Sequence, residues 1–270
     1  VRVSRPTSSM LRHLAHPGPR SFLAAGQLRW CSGKVAGRDV VRMPRYPTLE
    51  PQGMLRGMDY IGTVSFGFSG GGLAALSGMD LLGTCGVGTL TALGGGTIRD
   101  ALMLGKAPFW TEETEYVTIA VVSAAAAFAA IHFQNLDDKE AAALMDHPAV
   151  AITDTLGVAA FCIIGANGAL KMAMPGGVAI LCGISTATFG GMCRDVLCRR
   201  PVRILHSRAE LYATCAMAGA ATFTAATALG LPGGATTSMF IAFAVACAAR
   251  TAASTYDLKL PTVRPIRVAP

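Results

Sequence analysis

Long stretches of this chain carry no charge, and they set its plan. Residues 60–79 contain no Asp, Glu, Lys or Arg, and neither do residues 81–98. Further apolar runs cover 116–136, 155–170 and 172–193. A helix that spans a bilayer needs about 20 mostly apolar residues, so each run predicts one span. The 39 uncharged residues 211–249 are too long for a single span. The string Gly230-Leu231-Pro232-Gly233-Gly234 divides them, because Pro and paired glycines make a turn. Seven spans result. They are rich in Gly, Ala, Ser and Thr rather than Leu, which predicts close backbone packing where lipid offers no hydrophobic drive for association.

Composition agrees with the pattern. Mean hydropathy is +0.46 and only 14% of residues are charged, well short of the quarter typical of a soluble domain. Residues 1–45 hold nine Lys or Arg and one acid, Asp39, so the net charge of +7 comes from this leader. The remaining residues have no basic surplus, which argues against a nucleic-acid face on the folded part. The leader is Arg-rich and Ser-containing and has no acid before Asp39, the composition of an organellar presequence. Arg29-Trp30-Cys31-Ser32 resembles a mitochondrial processing site. The eight cysteines are scattered and read as small packing residues, with no metal site and no cofactor expected. With the leader, Arg99 and Arg194 set aside, the N-terminal side carries Arg56, Lys106 and Lys171. The opposite side carries Lys139, Arg199, Arg200, Arg203, Arg208, Arg250, Lys259, Arg264 and Arg267. That bias predicts a C-terminus in the matrix or cytosol.

Within the apolar pattern one segment stands apart. Gly94-Gly95-Gly96-Thr97-Ile98-Arg99-Asp100 puts three glycines and a charge pair at the end of the second span, and Gly190-Gly191-Met192-Cys193-Arg194-Asp195 repeats it. The offset of 95 residues also aligns Asp59 with Asp154, Gly62 with Gly157, Phe66 with Phe161 and Thr91 with Thr186. Tyr116 and Tyr212 follow within two residues of that register. This is an internal duplication. Each copy has three spans, and an odd number inverts the second copy in the membrane. Matched Gly-interrupted helices in inverted repeats point to a permeation site, because a broken helix exposes N–H and C=O groups that only a lined cavity satisfies. Spans two and five are therefore expected to break at the glycines. The alternative is that the glycines form a packing surface and Arg-Asp marks the membrane edge, against which the two inverted copies weigh. Adjacent helical residues point about 100° apart, so Arg99 is expected to pair with Asp195 and Arg194 with Asp100 across the pseudo-two-fold. Asp59 and Asp154 are expected to cap spans one and four. The cluster Glu112-Glu113-Thr114-Glu115 reads as a solvated loop.

Four strings together resemble the bacterial glycine transporter domain family: "DYIGTVSFGFSGGGLAAL", "TALGGGTIRDALMLGKAPFW", "DTLGVAAFCIIGANGAL" and "TFGGMCRDVLCRRPVRIL", with a closing "AARTAASTYDLKLP". The resemblance runs from about Met58 to Pro261. That family is similar in fold to the trimeric intracellular cation channels: two inverted three-helix repeats, a seventh helix and trimeric assembly. The resemblance implies that Gly94, Gly95, Gly96, Arg99, Asp100, Gly190, Gly191, Arg194 and Asp195 line the pathway. Phe189, in place of a counterpart to Gly94, departs from equivalence between the halves.

The expected protein is thus an all-α integral membrane protein: leader at 1–50, repeats at 58–136 and 148–230, and a seventh helix and closing segment at 235–261. The leading function is transport of a small polar solute such as glycine, whose two charges suit half-helix ends of opposite polarity. A trimeric channel for monovalent cations is the second reading, and a non-conducting assembly subunit a third. An intramembrane enzyme is not expected, because Ser69, Ser77, Ser123, Ser185 and His132 belong to no hydrolase or metalloprotease motif. Expected partners are the solute or cation, membrane lipid and further copies of the chain, with a trimer in the mitochondrial inner membrane as the most specific form of this reading.

Overall fold

The computed structural model describes residues 43–133, 139–140, 143, 148–202, 211–256 and 258. Residues 1–42 of the leader, with the processing string, lie outside these residues, as do Arg203, Arg208, Lys259, Arg264 and Arg267 of the topology argument.

Seven α-helices make up the described fold: α1 Pro51–Leu76, α2 Leu81–Ile98, α3 Glu115–Phe133, α4 Pro148–Lys171, α5 Gly176–Leu197, α6 Tyr212–Ala228 and α7 Gly234–Thr255. Five are long and apolar enough to cross a membrane by length and composition: α2 with its following turn, α3, α4, α5 and α7. Local signals set several ends. Pro51 opens α1, where a missing N–H costs nothing. Asp80 caps α2, its carboxylate accepting the Gly83 N–H at 2.7 Å. Gly233, in the left-handed region at φ 90°, precedes α7.

The helices pack as the duplication requires. Within the first repeat α1 packs on α2 and α3, and α2 on α3. The second repeat reproduces each contact with α4, α5 and α6. The halves meet through α1 against α4 and α2 against α5, while α7 lies on α6 and α4. Glycines make both meetings possible. A Cβ on Gly62 would fall 2.8 Å from the Gly157 Cα, and one on Gly157 would fall 2.9 Å from the Gly62 Cα. The equivalent Phe66 and Phe161 rings stack edge to face beside them, 5.2 Å apart.

The structure corrects the expected breaks. α2 runs through Gly94–Gly96 and α5 runs through Gly190 and Gly191 without interruption. Irregularity comes later and in one half: Arg99–Met103 winds into a π-helical turn, whereas α5 stays α-helical to Leu197. The glycines serve helix–helix approach instead. A Cβ on Gly95 would strike the Thr186 carbonyl, and one on Gly190 the Thr91 carbonyl, a reciprocal contact between equivalent residues. With the helices this close, each backbone bond is kept and small residues provide the fit.

Candidate functional site

Buried charge gathers around the ends of α2 and α5. Arg99 and Asp100 are 5% and 0% exposed, and Arg194 and Asp195 are 7% and 2% exposed. The expected cross-pairing does not occur. Arg99 Nε donates to Asp100 Oδ1 at 2.7 Å, and Arg194 donates to Asp195 Oδ1 from Nε at 2.9 Å and Nη2 at 2.7 Å. Adjacent Cα–Cβ vectors do diverge, but the arginine stem is long enough to fold its guanidinium back along the helix. Each pair is therefore neutralised within its own repeat, which relieves the cost of burying either charge.

The first pair is built further. Asp100 also accepts the Phe109 N–H at 3.0 Å and lies 3.2 Å from Lys106 Nζ. The Arg99 guanidinium lies over the Phe109 ring, 5.9 Å from its centroid. Trp110 Nε1 donates to Thr97 Oγ1 at 2.9 Å, fastening the 3-10 turn Phe109–Thr111 to α2. Among the glycines, Gly94, Gly95 and Gly190 lie at the α2–α5 crossing, and Gly96 faces Phe109. Gly191 faces the Arg194 guanidinium, 3.7 Å from where its Cβ would be.

A second set of charged residues was misread from sequence. Asp59 and Asp154 are not caps; each lies inside its helix, Asp59 in α1 and Asp154 in α4. The Tyr116 hydroxyl donates to the Asp59 carboxylate and accepts from Arg56 Nη1 at 2.6 Å. Arg56 also reaches Glu113 at 2.7 and 2.8 Å and the Pro44 carbonyl at 2.9 Å. Glu113 is thus not simply a solvated loop residue. In the second half Tyr212 donates to Asp154 Oδ1 at 3.4 Å, and Arg250 Nη2 lies 3.6 Å from Asp154 Oδ2. Arg56 and Arg250 are buried within the bundle, so neither is a loop charge of the kind the topology count assumed. The alignment of Asp59 with Asp154 and Tyr116 with Tyr212 was the signal that pointed to these contacts.

Apolar helices in two inverted copies, with ion pairs buried between them, define an integral membrane protein of the transporter- and channel-like class. The comparisons give the family. The model described as Glycine transporter matches residues 57–132 and again 151–228, once for each repeat. The chain belongs to this family. It is 32% identical over 206 residues to the UPF0126 inner membrane protein YadS of Escherichia coli strain K12, covering 76% of this chain and 94% of that one. It is 34% identical to a UPF0126 membrane protein of Deinococcus radiodurans, over 62% of this chain and 73% of that one. Among solved structures, the TRIC trimeric intracellular cation channel orthologue from Rhodobacter sphaeroides is similar at 32% identity and a TM-score of 0.64, covering 76% of this chain and 99% of that chain. A structure described under conductance through TRIC cation channels is similar at 29% identity and a TM-score of 0.68, covering 79% and 98%. The fold is TRIC-like.

Proposed function

We infer that the protein conducts a small monovalent cation across its membrane, as a homotrimer with a pathway in each protomer between the two repeats, where α2 meets α5 and α1 meets α4. The observation that carries this reading is the α2–α5 crossing with an internally neutralised Arg-Asp pair buried at the end of each helix. Neutralisation matters because an unpaired arginine in the path would repel a cation. Here Asp100 and Asp195 hold the guanidinium groups; moving Arg194 aside would release the Asp195 oxygen it holds, whereas Asp100 must shed both Arg99 and Lys106 before it can meet the cation. Gly95 and Gly190 then set how closely the two lining helices approach beside Gly94, while Gly96 and Gly191 leave room for Phe109 and the Arg194 guanidinium. The trimeric cation channels among the similar structures support both the cation and the trimer.

Continuous helices weaken the case for glycine, which rested on half-helix ends of opposite polarity facing the solute. Carriage of glycine remains the second reading because the matching family model bears that description. The basic leader supports a mitochondrial inner membrane, and the Lys/Arg bias of the loops supports a C-terminus on the matrix side.

The test is flux from liposomes holding the full chain, with potassium efflux and labelled-glycine uptake measured side by side. Potassium flux is expected, without saturable glycine uptake. The Arg99→Ala/Arg194→Ala variant, which takes the guanidinium off each carboxylate and leaves Lys106 beside Asp100, is expected to pass potassium faster by about ten-fold or more, since one charge-assisted bond alone is worth about that factor. Saturable glycine uptake without potassium flux would install the second reading, and absence of both fluxes would sink conduction altogether.

A further inference from the structure

α7 lies outside the duplication, yet it finishes a site in the second repeat. In the first half, Arg56 and Asp59 stand three residues apart on α1 and meet Tyr116 at the start of α3. Arg56 Nη1 is 3.6 Å from Asp59 Oδ2, and the guanidinium lies 5.7 Å from the centroid of the Tyr116 ring. In the second half the carboxylate and the phenol recur at Asp154 and Tyr212. The arginine does not, because the residue equivalent to Arg56 is Ala151, which is exposed. In its place Arg250 comes from α7, 3.6 Å from Asp154 Oδ2 and 4.8 Å from the centroid of the Tyr212 ring. One arrangement of guanidinium, carboxylate and phenol has therefore been built twice, with its cation delivered from different helices.

The placement of the two arrangements matters as much as their likeness. Asp59 precedes Gly62 by three residues and Asp154 precedes Gly157 by three, so each carboxylate is about 4.5 Å of helix rise from the glycine at which α1 and α4 cross. The helices run in opposite senses in inverted repeats, which puts the carboxylates on opposite sides of that crossing. A carboxylate beside a phenol oxygen offers the hard oxygen ligands that a monovalent cation takes in exchange for water. A guanidinium 3.6 Å from the same carboxylate offsets its charge, and in the first half Glu113 holds that guanidinium in place with bonds of 2.7 and 2.8 Å.

We propose that α7 supplies the arginine the second repeat lacks, making Arg56–Asp59–Tyr116 and Arg250–Asp154–Tyr212 two equivalent locks on opposite sides of the α1–α4 crossing. Passage of a monovalent cation requires each arginine to leave its carboxylate. The inference rests on the conduction reading above and adds gating residues to it. The two locks also differ in their phenol–carboxylate bond, which is the longer one in the second half, at 3.4 Å. Loss of a hydroxyl therefore releases the first lock more than the second.

The experiment follows potassium efflux from liposomes holding the full chain. It compares wild type with Arg250→Gln, Arg250→Gln/Ala151→Arg, Tyr116→Phe and Tyr212→Phe, each checked for a monodisperse, folded state. Arg250→Gln is expected to raise flux about ten-fold by removing one charge-assisted contact from the closed state. Adding Ala151→Arg restores the spacing of Arg56 and Asp59 and is expected to return flux to within about two-fold of wild type, since the same pair interaction is rebuilt. Tyr116→Phe is expected to raise flux more than Tyr212→Phe. Wild-type flux unchanged by Arg250→Gln, or raised flux that Ala151→Arg fails to lower, would overturn the lock while leaving conduction standing. Wild-type liposomes that pass no potassium would instead remove the conduction reading, and the lock with it. Should Arg250→Gln fail to fold, the two tyrosine variants decide: folded proteins with unaltered flux overturn the proposal.

Discussion

Gly94 and Gly190 both belong to the glycine strings, but their surroundings differ. The nearest atom to a Cβ on Gly94 would be the Gly190 Cα at 3.6 Å, an ordinary contact. On Gly190 the same carbon would run into the Thr91 carbonyl, and on Gly95 into that of Thr186. This explains why the second repeat can carry Phe189 where the first carries Gly94: the position does not require the absence of a side chain, and Phe189 is half-buried. Gly94→Ala should therefore leave stability nearly unchanged. Gly95→Ala and Gly190→Ala should each cost about 1–3 kcal/mol, because backbone must shift to admit the methyl group. Thermal unfolding of the three purified variants in one detergent checks the ordering, and an equally damaging Gly94→Ala would contradict the packing account.

At the scale of elements, each apolar run became a helix, since a charge-free stretch of that length has little alternative in a membrane. The start of α1 was not legible. Charged Arg56 and Asp59 looked like the outside of the span, and only their pairing with Tyr116 and Glu113, residues distant in sequence, lets the helix begin at Pro51. Arg250 was unreadable for a related reason: α7 has no repeat partner, so no alignment could assign its arginine to Asp154. The Arg-Asp pairs themselves were legible from the duplication, whereas their partners were not, because local spacing does not record where a long side chain folds. The α1–α4 crossing on which these contacts depend can be tested directly. Ser65 Oγ and Thr153 Oγ1 are 2.9 Å apart across it. Cysteines at these two positions should form a disulfide under mild oxidation, since side chains that meet this closely bring their Cβ atoms within the required range. Mass spectrometry of the digested protein should find the linked peptides, and a pair that stays reduced beside an oxidisable control would contradict the crossing.

For the whole molecule, inversion is a statement about sides. Three helices per repeat carry the start of α4 to the face opposite the start of α1, and α7 then leaves the chain on that opposite face. The Asp59 lock and the Asp100 pair accordingly belong to one half of the membrane, and the Asp154 lock and the Asp195 pair to the other. A pathway through both would meet buried ion pairs from either entrance, which suits controlled passage better than a permanently open hole. The arrangement makes Leu49 and Tyr256, both exposed, report on opposite faces. Cysteines placed singly at these positions, in a background without the native thiols, should be labelled by a membrane-impermeant maleimide from opposite sides of sealed vesicles. In mitochondrial inner-membrane vesicles of known orientation, the reagent on the matrix face should reach position 256 and spare position 49. Labelling of both from one face would rule out the seven-span inverted topology; labelling from opposite faces in the reverse sense would retain the topology and overturn the proposed matrix orientation.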